Sequence, residues 1–140
     1  MEITRAIEIR RPLDDVFTFV ADARNDVRWC PKVKSVSGGD PGLGARYAVV
    51  HKPVPGKPAR EMEMTCVGWE PPRRISWLQE DGTDVFRVTY SLAGLPGDGT
   101  RLEQTSDFDL GAPRLLRPLY RWGIGRDVAR QLRELKALLE

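Results

Sequence analysis

The sequence predicts an α+β domain in which a run of antiparallel strands is followed by one long C-terminal helix. Several short stretches alternate polar and apolar residues with period two, which is typical of strands that have one wet and one buried face. Gly- and Pro-rich turns separate these stretches. From Leu115 onward, apolar residues instead recur at three- and four-residue spacing, which is the period of an amphipathic helix.

The first strand is predicted in "EITRAIEIR", where Ile3, Ile7 and Ile9 share one face, and it stops at Pro12. Two short helices are predicted next. The first is "PLDDVFTFVAD", with Pro12 at a favoured first-turn position, and the second is "ARNDVRWCP", closed by Pro31. Both helices therefore interrupt the sheet early in the chain.

The central part of the chain predicts a meander of antiparallel strands separated by turns. These strands are "KVKSVS", "ARYAVVHK", the first half of "AREMEMTCVGWEPPRRISW", its end "ISWLQ", "VFRVTYSL", and "TRLEQTSDFDL" as far as Leu110. The proline-rich link "PVPGKP" joins two of them. In the final helix, Pro118 fits the first turn, and Gly123 and Gly125 are expected to weaken or bend the middle.

Composition indicates a single soluble domain over residues 1–140. Hydrophobic residues make up 41% and charged residues 30% of the chain, which excludes the disordered class. No apolar run is long enough to span a bilayer and no signal peptide is evident, so we expect a cytoplasmic protein. The net charge of +2 is too small by itself to imply a nucleic-acid partner.

Neither a metal site nor a cofactor is expected. Cys30 and Cys66 are the only cysteines and are predicted to be free, buried thiols, because no Cys or His residues have metal-ligand spacing. The glycine-rich stretch "GGDPGLG" lacks the lysine and the serine or threonine of a phosphate-binding loop. It is therefore predicted to be a simple loop between strands.

Three segments carry a family resemblance: "IRRPLDDVFTFVAD" with Trp29-Cys30-Pro31 after it, "VGWEPPRRISW", and the closing "LRELKALLE". In these segments, and in the order of elements over nearly the whole chain, the sequence resembles the START-like (SRPBCC) superfamily. That superfamily includes polyketide cyclases and dehydrases, lipid-transfer proteins and coenzyme Q-binding proteins. The resemblance implies a helix-grip fold, with about seven curved strands wrapped around the C-terminal helix and an elongated apolar cavity between them.

The apolar faces of the predicted strands supply the residues expected to contact a ligand. Methionine and cysteine are adaptable fillers, whereas Gln79, Gln104 and Ser106 are polar residues on otherwise apolar faces. Burying such a group without a partner costs roughly 1–3 kcal/mol, so each is expected to meet a ligand, a water or a neighbour. The aromatic residues are interpreted either as cavity walls or as plain core. The full set is Tyr47, Val49, Met62, Met64, Cys66, Trp77, Gln79, Phe86, Val88, Tyr90, Gln104, Ser106 and Trp122.

Four side chains are candidates for acid-base chemistry, namely His51, Arg5, Tyr90 and Gln104. His51 is the only histidine, and it is interpreted either as a general acid or base at the cavity mouth or as a solvated residue at a hairpin end. Arg5 reaches either into the cavity or out past the sheet edge. No serine or cysteine shows a nucleophile motif.

Three functions are compatible with the sequence. The first is binding or transport of a small hydrophobic molecule, such as a lipid, an isoprenoid or quinone, or a polyketide. The second is a polyketide cyclase, aromatase or dehydrase that acts by acid-base chemistry in the same cavity. The third is an interaction protein whose cavity is filled by its own side chains. In each case the chain is expected to be a monomer or a homodimer.

The final helix is rich in arginine. A solvated face is the default interpretation, a transient contact with an anionic membrane is the alternative, and nucleic acid ranks behind both because Asp127 and Glu134 dilute the charge. The arginines are Arg114, Arg117, Arg121, Arg126, Arg130 and Arg133.

Overall fold

A computed structural model describes residues 1–53, 58–82, 84–108 and 113–140. The seven strands are β1 (Glu2–Ile9), β2 (Val33–Gly38), β3 (Arg46–His51), β4 (Arg60–Glu70), β5 (Arg74–Glu80), β6 (Val85–Leu95) and β7 (Gly99–Phe108). The helical segments are α1 (Leu13–Ala21), the 3-10 segment η1 (Ala23–Arg28), the 3-10 segment η2 (Arg114–Leu116) and α2 (Arg117–Leu139). The predicted α+β class is thereby confirmed. Most of the proline-rich link and the Leu110 end of the last predicted strand lie outside the described residues.

The second short helix differs from its prediction. It is a 3-10 segment that ends at Arg28, before Pro31. Asp22 caps its start by accepting a hydrogen bond from the Arg24 backbone N–H at 3.1 Å. At its end, the Cys30 N–H donates to the Asp26 carbonyl at 2.8 Å. At 6 residues the segment is longer than most 3-10 runs, and the bond from Cys30 to Asp26, four residues back, is of the α type.

The strands form one antiparallel sheet in the order β1-β7-β6-β5-β4-β3-β2. Strands β2 to β7 are a simple meander, and β1 pairs with β7, so β1 and β2 are the two edges. Because α1 and η1 connect β1 to β2, they cross from one edge of the sheet to the other. The β4–β5 register shifts between Cys66 and Gly68, and a bulge of this kind bends a sheet.

Helix α2 is tied to both edges of the sheet. Its last turn reaches the end of β1, where Lys136 Nζ donates to the Glu8 carbonyl at 2.7 Å. Farther back, Asp127 pairs with Lys32, which immediately precedes β2. A flat seven-stranded sheet would hold its edge strands about 29 Å apart, whereas a helix is about 10–12 Å wide. The sheet is therefore curved around α2, which is the helix-grip arrangement.

The core lies between the sheet, α1, η1 and the C-terminal half of α2. Val128, Leu132 and Leu135 are buried on one stripe of α2, as the helical spacing predicts. None of the helices in the described ranges has the length and apolarity needed to cross a bilayer.

Candidate functional site

One face of the sheet, called here the inner face, carries nearly all the residues expected to contact a ligand. Directly opposed residues in an antiparallel pair lie on the same face, so the register defines its members. Val49 and Met62 form one pair, beside His51. Three longer rows cross the sheet: Tyr47, Met64, Gln79, Phe86 and Phe108; Cys66, Trp77, Val88, Ser106 and Ile3; and Ile75, Tyr90, Gln104 and Arg5.

Trp122 is the exception, and its predicted place in the cavity wall is wrong. It is 63% exposed on the second turn of α2, with the Arg126 guanidinium 5.5 Å from its ring centre. The buried residues of α2 begin only at Gly125. Trp122 therefore belongs to the first turns of α2, which the rest of the described chain leaves exposed.

Aromatic side chains pack closely on the inner face. The Tyr47 ring meets Trp77 edge-on at 5.8 Å between centres, next to the buried Met64 and Cys66. From the opposite side, Trp29, which follows η1, packs against Tyr90 at 6.0 Å. The methionine and cysteine stripe of β4 is thus enclosed by aromatic rings on the side of the sheet that faces α2 and η1.

Four buried polar atoms of this region have no hydrogen-bond partner among the described residues. They are Trp29 Nε1, Tyr47 Oη, His51 Nε2 and Trp77 Nε1. An unsatisfied buried donor costs about 1–3 kcal/mol, and native structures contain few of them. All four lie on or beside the inner face.

The polar side chains of Gln104 and Ser106, by contrast, have hydrogen-bond partners within the protein. The Gln104 amide donates to Ser106 Oγ at 3.3 Å, and Gln131 of α2 donates to Gln104 Oε1 at 3.0 Å. This network matches the interpretation in which the polar strand residues bond to one another. It also fixes α2 against β7, so Gln104 is primarily engaged in holding the fold.

Arg5 lies on the inner face but at the edge of the sheet. Its guanidinium fills the space beside Gly125 of α2, where an added Cβ would lie 2.4 Å from Nη2. Arg5 Nη1 also donates to the Thr4 carbonyl at 2.8 Å. The residue is exposed overall, in agreement with the edge interpretation.

His51 ends β3 in a half-buried position near two cations. Burial lowers the pKa of its imidazole below 6.5, and the charges of Arg60 and Lys32 lower it further. A hydrogen bond with the Gln79 side chain acts in the opposite direction but is the smaller influence. His51 is therefore neutral at pH 7 and able to accept a proton.

Asp26 is a buried acid that the sequence interpretation missed. It lies in η1 and is 7% exposed, and burial raises its pKa well above 3.8, with a further contribution from the charge of Asp22. Burial raises the pKa of Cys30 and Tyr90, and the charge of Asp26 adds to both shifts. The spacing of Asp26 is the sequence signal that could have indicated its burial, because it lies three residues after Ala23 and three before Trp29, which are both buried.

A separate pocket of about 440 Å³ opens between α1, the β2–β3 loop and the β4–β5 turn. Its floor is the edge-on pair of Phe17 and Trp69, whose centres lie 5.5 Å apart. None of the residues predicted to contact a ligand lines it. The lining residues are Asp14, Phe17, Thr18, Ala21, Pro41, Trp69, Pro71 and Pro72.

The cysteines are free and buried, as expected. Within the part of the chain that the structure describes, no three His, Cys, Asp or Glu side chains are grouped so as to hold a metal ion.

Similar folds occur among solved structures. An aromatase/cyclase, Zhui from Streptomyces sp. R1128, superimposes with a TM-score of 0.79 at 16% identity, covering 99% of this chain and 93% of its own. A START superfamily protein from Mycobacterium smegmatis gives 0.80 at 14% identity, covering 99% and 96%. The di-domain aromatase/cyclase BexL of the BE-7585A biosynthetic pathway gives 0.75 at 21% identity, covering 100% of this chain and 50% of BexL. At these identities the likeness shows a shared fold.

Sequence comparison assigns the family. No curated protein matches the chain. The model of one family, described as polyketide cyclase / dehydrase and lipid transport, matches residues 1–140. Because that match spans the whole chain, the protein belongs to the polyketide cyclase/dehydrase and lipid transport family.

Proposed function

We propose that the protein binds a small, largely apolar molecule carrying hydrogen-bond-accepting oxygens, and that it does so on the inner face between the sheet, η1 and α2. The observation that carries the proposal is the set of four buried polar atoms that have no partner in the described part of the chain. Indole N–H groups only donate hydrogen bonds, so Trp29 and Trp77 require an acceptor. A ketone, quinone or phenol oxygen supplies one.

The surroundings of these donors favour a planar ligand. Tyr47 and Trp77 present aromatic rings, and Met62, Met64 and Cys66 add a soft surface that adapts to shape. An aromatic polyketide or the ring of a quinone places carbonyl oxygens on a flat apolar body. The acyl chain of a lipid has no such oxygens along its length, so we favour the ring compounds over a lipid.

Two measurements test this binding function. Protein purified under native conditions is extracted with organic solvent and compared by mass spectrometry with a mock extract, which is expected to reveal an oxygenated ring compound. Menadione, a small naphthoquinone, is then titrated against the protein, with palmitate as the comparison ligand. We expect menadione to bind and palmitate to bind more weakly.

Conservative aromatic variants locate the contact. Trp77→Phe and Tyr47→Phe each remove one buried donor and are expected to weaken menadione binding about 2- to 12-fold, the equivalent of one hydrogen bond of 0.5–1.5 kcal/mol. Trp69→Phe is the matched control, because Trp69, although opposite Ile75, packs edge-on against Phe17 in the separate pocket and its Nε1 is not one of the four atoms. Preferred binding of palmitate, equal effects of all three variants, or no binding of either ligand would contradict the proposal.

A second candidate function, polyketide cyclisation or dehydration, is favoured by a specific observation. Two titratable groups of this region have pKa values shifted in opposite directions, since Asp26 is raised and His51 is lowered. Such a pair supplies an acid that stays protonated and a base that stays neutral, which is a common acid-base arrangement. His51 would take a proton from carbon, and Asp26 with Tyr90 would stabilise the enolate oxygen.

Turnover distinguishes the two functions. Incubation with a linear poly-β-ketone thioester, followed by absorbance of aromatic products, is expected to show catalysis in the native protein if the enzyme function holds. Asp26→Asn and His51→Gln should then lower the rate about 100-fold or more while leaving menadione affinity within about threefold. Native protein that binds menadione without any turnover supports the carrier function alone.

A further inference from the structure

The start of α2, together with η2, exposes large apolar side chains that no other part of the described chain covers. Leu115 is 93% exposed, and Leu119 and Trp122 are each 63% exposed. Leu116 and Tyr120 are exposed as well. A cluster of exposed leucine and tryptophan marks an interaction surface rather than ordinary solvated protein.

The same segment is strongly basic. Residues 113–126 contain four arginines and no aspartate or glutamate, and the positive end of the helix dipole adds to their charge. Among the described residues, none of these arginines takes part in an ion pair, whereas Asp127, the next acid along the chain, is paired with Lys32. The four are Arg114, Arg117, Arg121 and Arg126. With Leu115, Leu119 and Trp122 they form what we call the α2 patch.

Arg117 and Arg121 lie on a different side of the helix from Leu119 and Trp122, whereas Arg126 lies beside Trp122. At about 100° per residue, Leu119 and Trp122 point roughly 150° away from Arg117 and Arg121. The two arginines continue the stripe that farther along α2 faces the sheet. Leu119 and Trp122 therefore point away from the body of the protein. Separate cationic and Trp/Leu faces of this kind are typical of helices that lie in a membrane interface.

We propose that the α2 patch docks on an anionic lipid surface. Leu115, Leu119 and Trp122 enter the boundary between head groups and acyl chains, while the arginines contact the phosphates. A second copy of the chain is a poor occupant, because a two-fold contact would bring eight arginines together without an acid. Nucleic acid would use the arginines but gains little from exposed leucines. This surface lies apart from the inner face, so its test is independent of the proposed ligand binding.

Vesicle sedimentation tests the proposal. The full chain is mixed with phosphatidylcholine vesicles that either contain or lack phosphatidylglycerol, at low and at high ionic strength. We expect binding only to the vesicles with phosphatidylglycerol, and weaker binding in high salt. Arg117→Gln/Arg121→Gln is expected to lower the affinity about 30-fold, from about 1 kcal/mol per basic residue near an anionic surface.

Matched variants separate the apolar and the basic contributions. Leu119→Gln/Trp122→Gln is expected to lower vesicle affinity about tenfold or more and to reduce the change in tryptophan fluorescence on binding. Leu43→Gln, at a 70% exposed leucine in the β2–β3 loop, and Arg73→Gln, in the β4–β5 turn, are the controls and should bind as the native protein does. Because all these positions are exposed, circular dichroism should show an unchanged fold.

Three results would overturn the proposal. The first is no sedimentation with anionic vesicles at low salt. The second is equal binding by the α2 patch variants and the controls. The third is a native dimer in light scattering that becomes monomeric in Leu119→Gln/Trp122→Gln, because the patch would then be covered by a second copy of the chain.

Discussion

Asparagine at position 26 is expected to change how the stability of the fold depends on pH. Asp26 is 7% exposed, and burial raises the pKa of its carboxyl well above 3.8. The titratable groups that interact with it electrostatically are Asp22 on the same segment, Cys30, and Tyr90 of β6, and none of them offers a compensating positive charge. The folded protein therefore favours the protonated form of this acid more than the unfolded chain does.

The sign and size of the effect follow from proton linkage. Between the unfolded pKa, about 3.9, and the raised folded pKa, the folded protein holds a proton that the unfolded chain has released. Stability is thus fully present below the unfolded pKa and falls as pH rises, by up to about 1.4 kcal/mol per pH unit. Asparagine does not titrate, so in Asp26→Asn this contribution disappears.

Urea unfolding at several pH values between about 4 and 8 measures the effect. The free energy of unfolding of Asp26→Asn, minus that of the native protein, is expected to rise with pH and to level off at the folded pKa of Asp26. The contribution of His51 is common to both proteins and cancels. Asp98→Asn, at an exposed turn aspartate, makes the same substitution outside the core and is the control. A difference for Asp26→Asn that does not change with pH would refute the reasoning.

Three further predictions concern single contacts. The His51 imidazole, followed by NMR, is expected to titrate below pH 6.5, and a titration midpoint at or above 6.5 would contradict its burial. The protein should also lose stability as pH falls below 6.5, because the unfolded chain binds the proton first. Gln131→Ala leaves Gln104 Oε1 buried without its donor and should cost about 1–3 kcal/mol in urea unfolding, and an unchanged midpoint would argue against the network. Gly125→Ala should stabilise α2 by about 1 kcal/mol only when it is combined with Arg5→Ala, which frees the space for the added Cβ. Equal effects of Gly125→Ala in the native protein and in Arg5→Ala would show that Arg5 does not restrict this position.

Much of the fold was predictable because its signals are local. Alternation along β4 depends only on the two-residue repeat of a strand, so Met62, Met64 and Cys66 were assigned to one buried face before any partner strand was known. Turn residues separated the strands for the same reason. The boundary of η1 was less predictable, because α and 3-10 geometry share similar spacing over six residues.

The candidate site was predictable only in part. The residues of the inner face were found by their strand period, but their hydrogen bonds join segments far apart in sequence. Gln104 meets Gln131 from another element, and the distinction between a residue free to bind a ligand and one that holds α2 in place depends on that contact. Asp26 was missed because a single aspartate in a short, charged segment is normally exposed to solvent, and its burial here depends on how η1 packs against the sheet.

Local sequence patterns specify the order of elements, the buried face of each strand and the amphipathic character of α2, because these depend on the repeat of side chains along one element. Which part of each periodic stretch is buried depends instead on the packing of elements against one another. Trp122 lies in the apolar stretch that predicts α2 but is exposed, since it points away from the stripe of α2 that faces the sheet, while Asp26 is buried because η1 packs beside Tyr90. Burial depends on contacts between distant segments, and local periodicity does not contain that information.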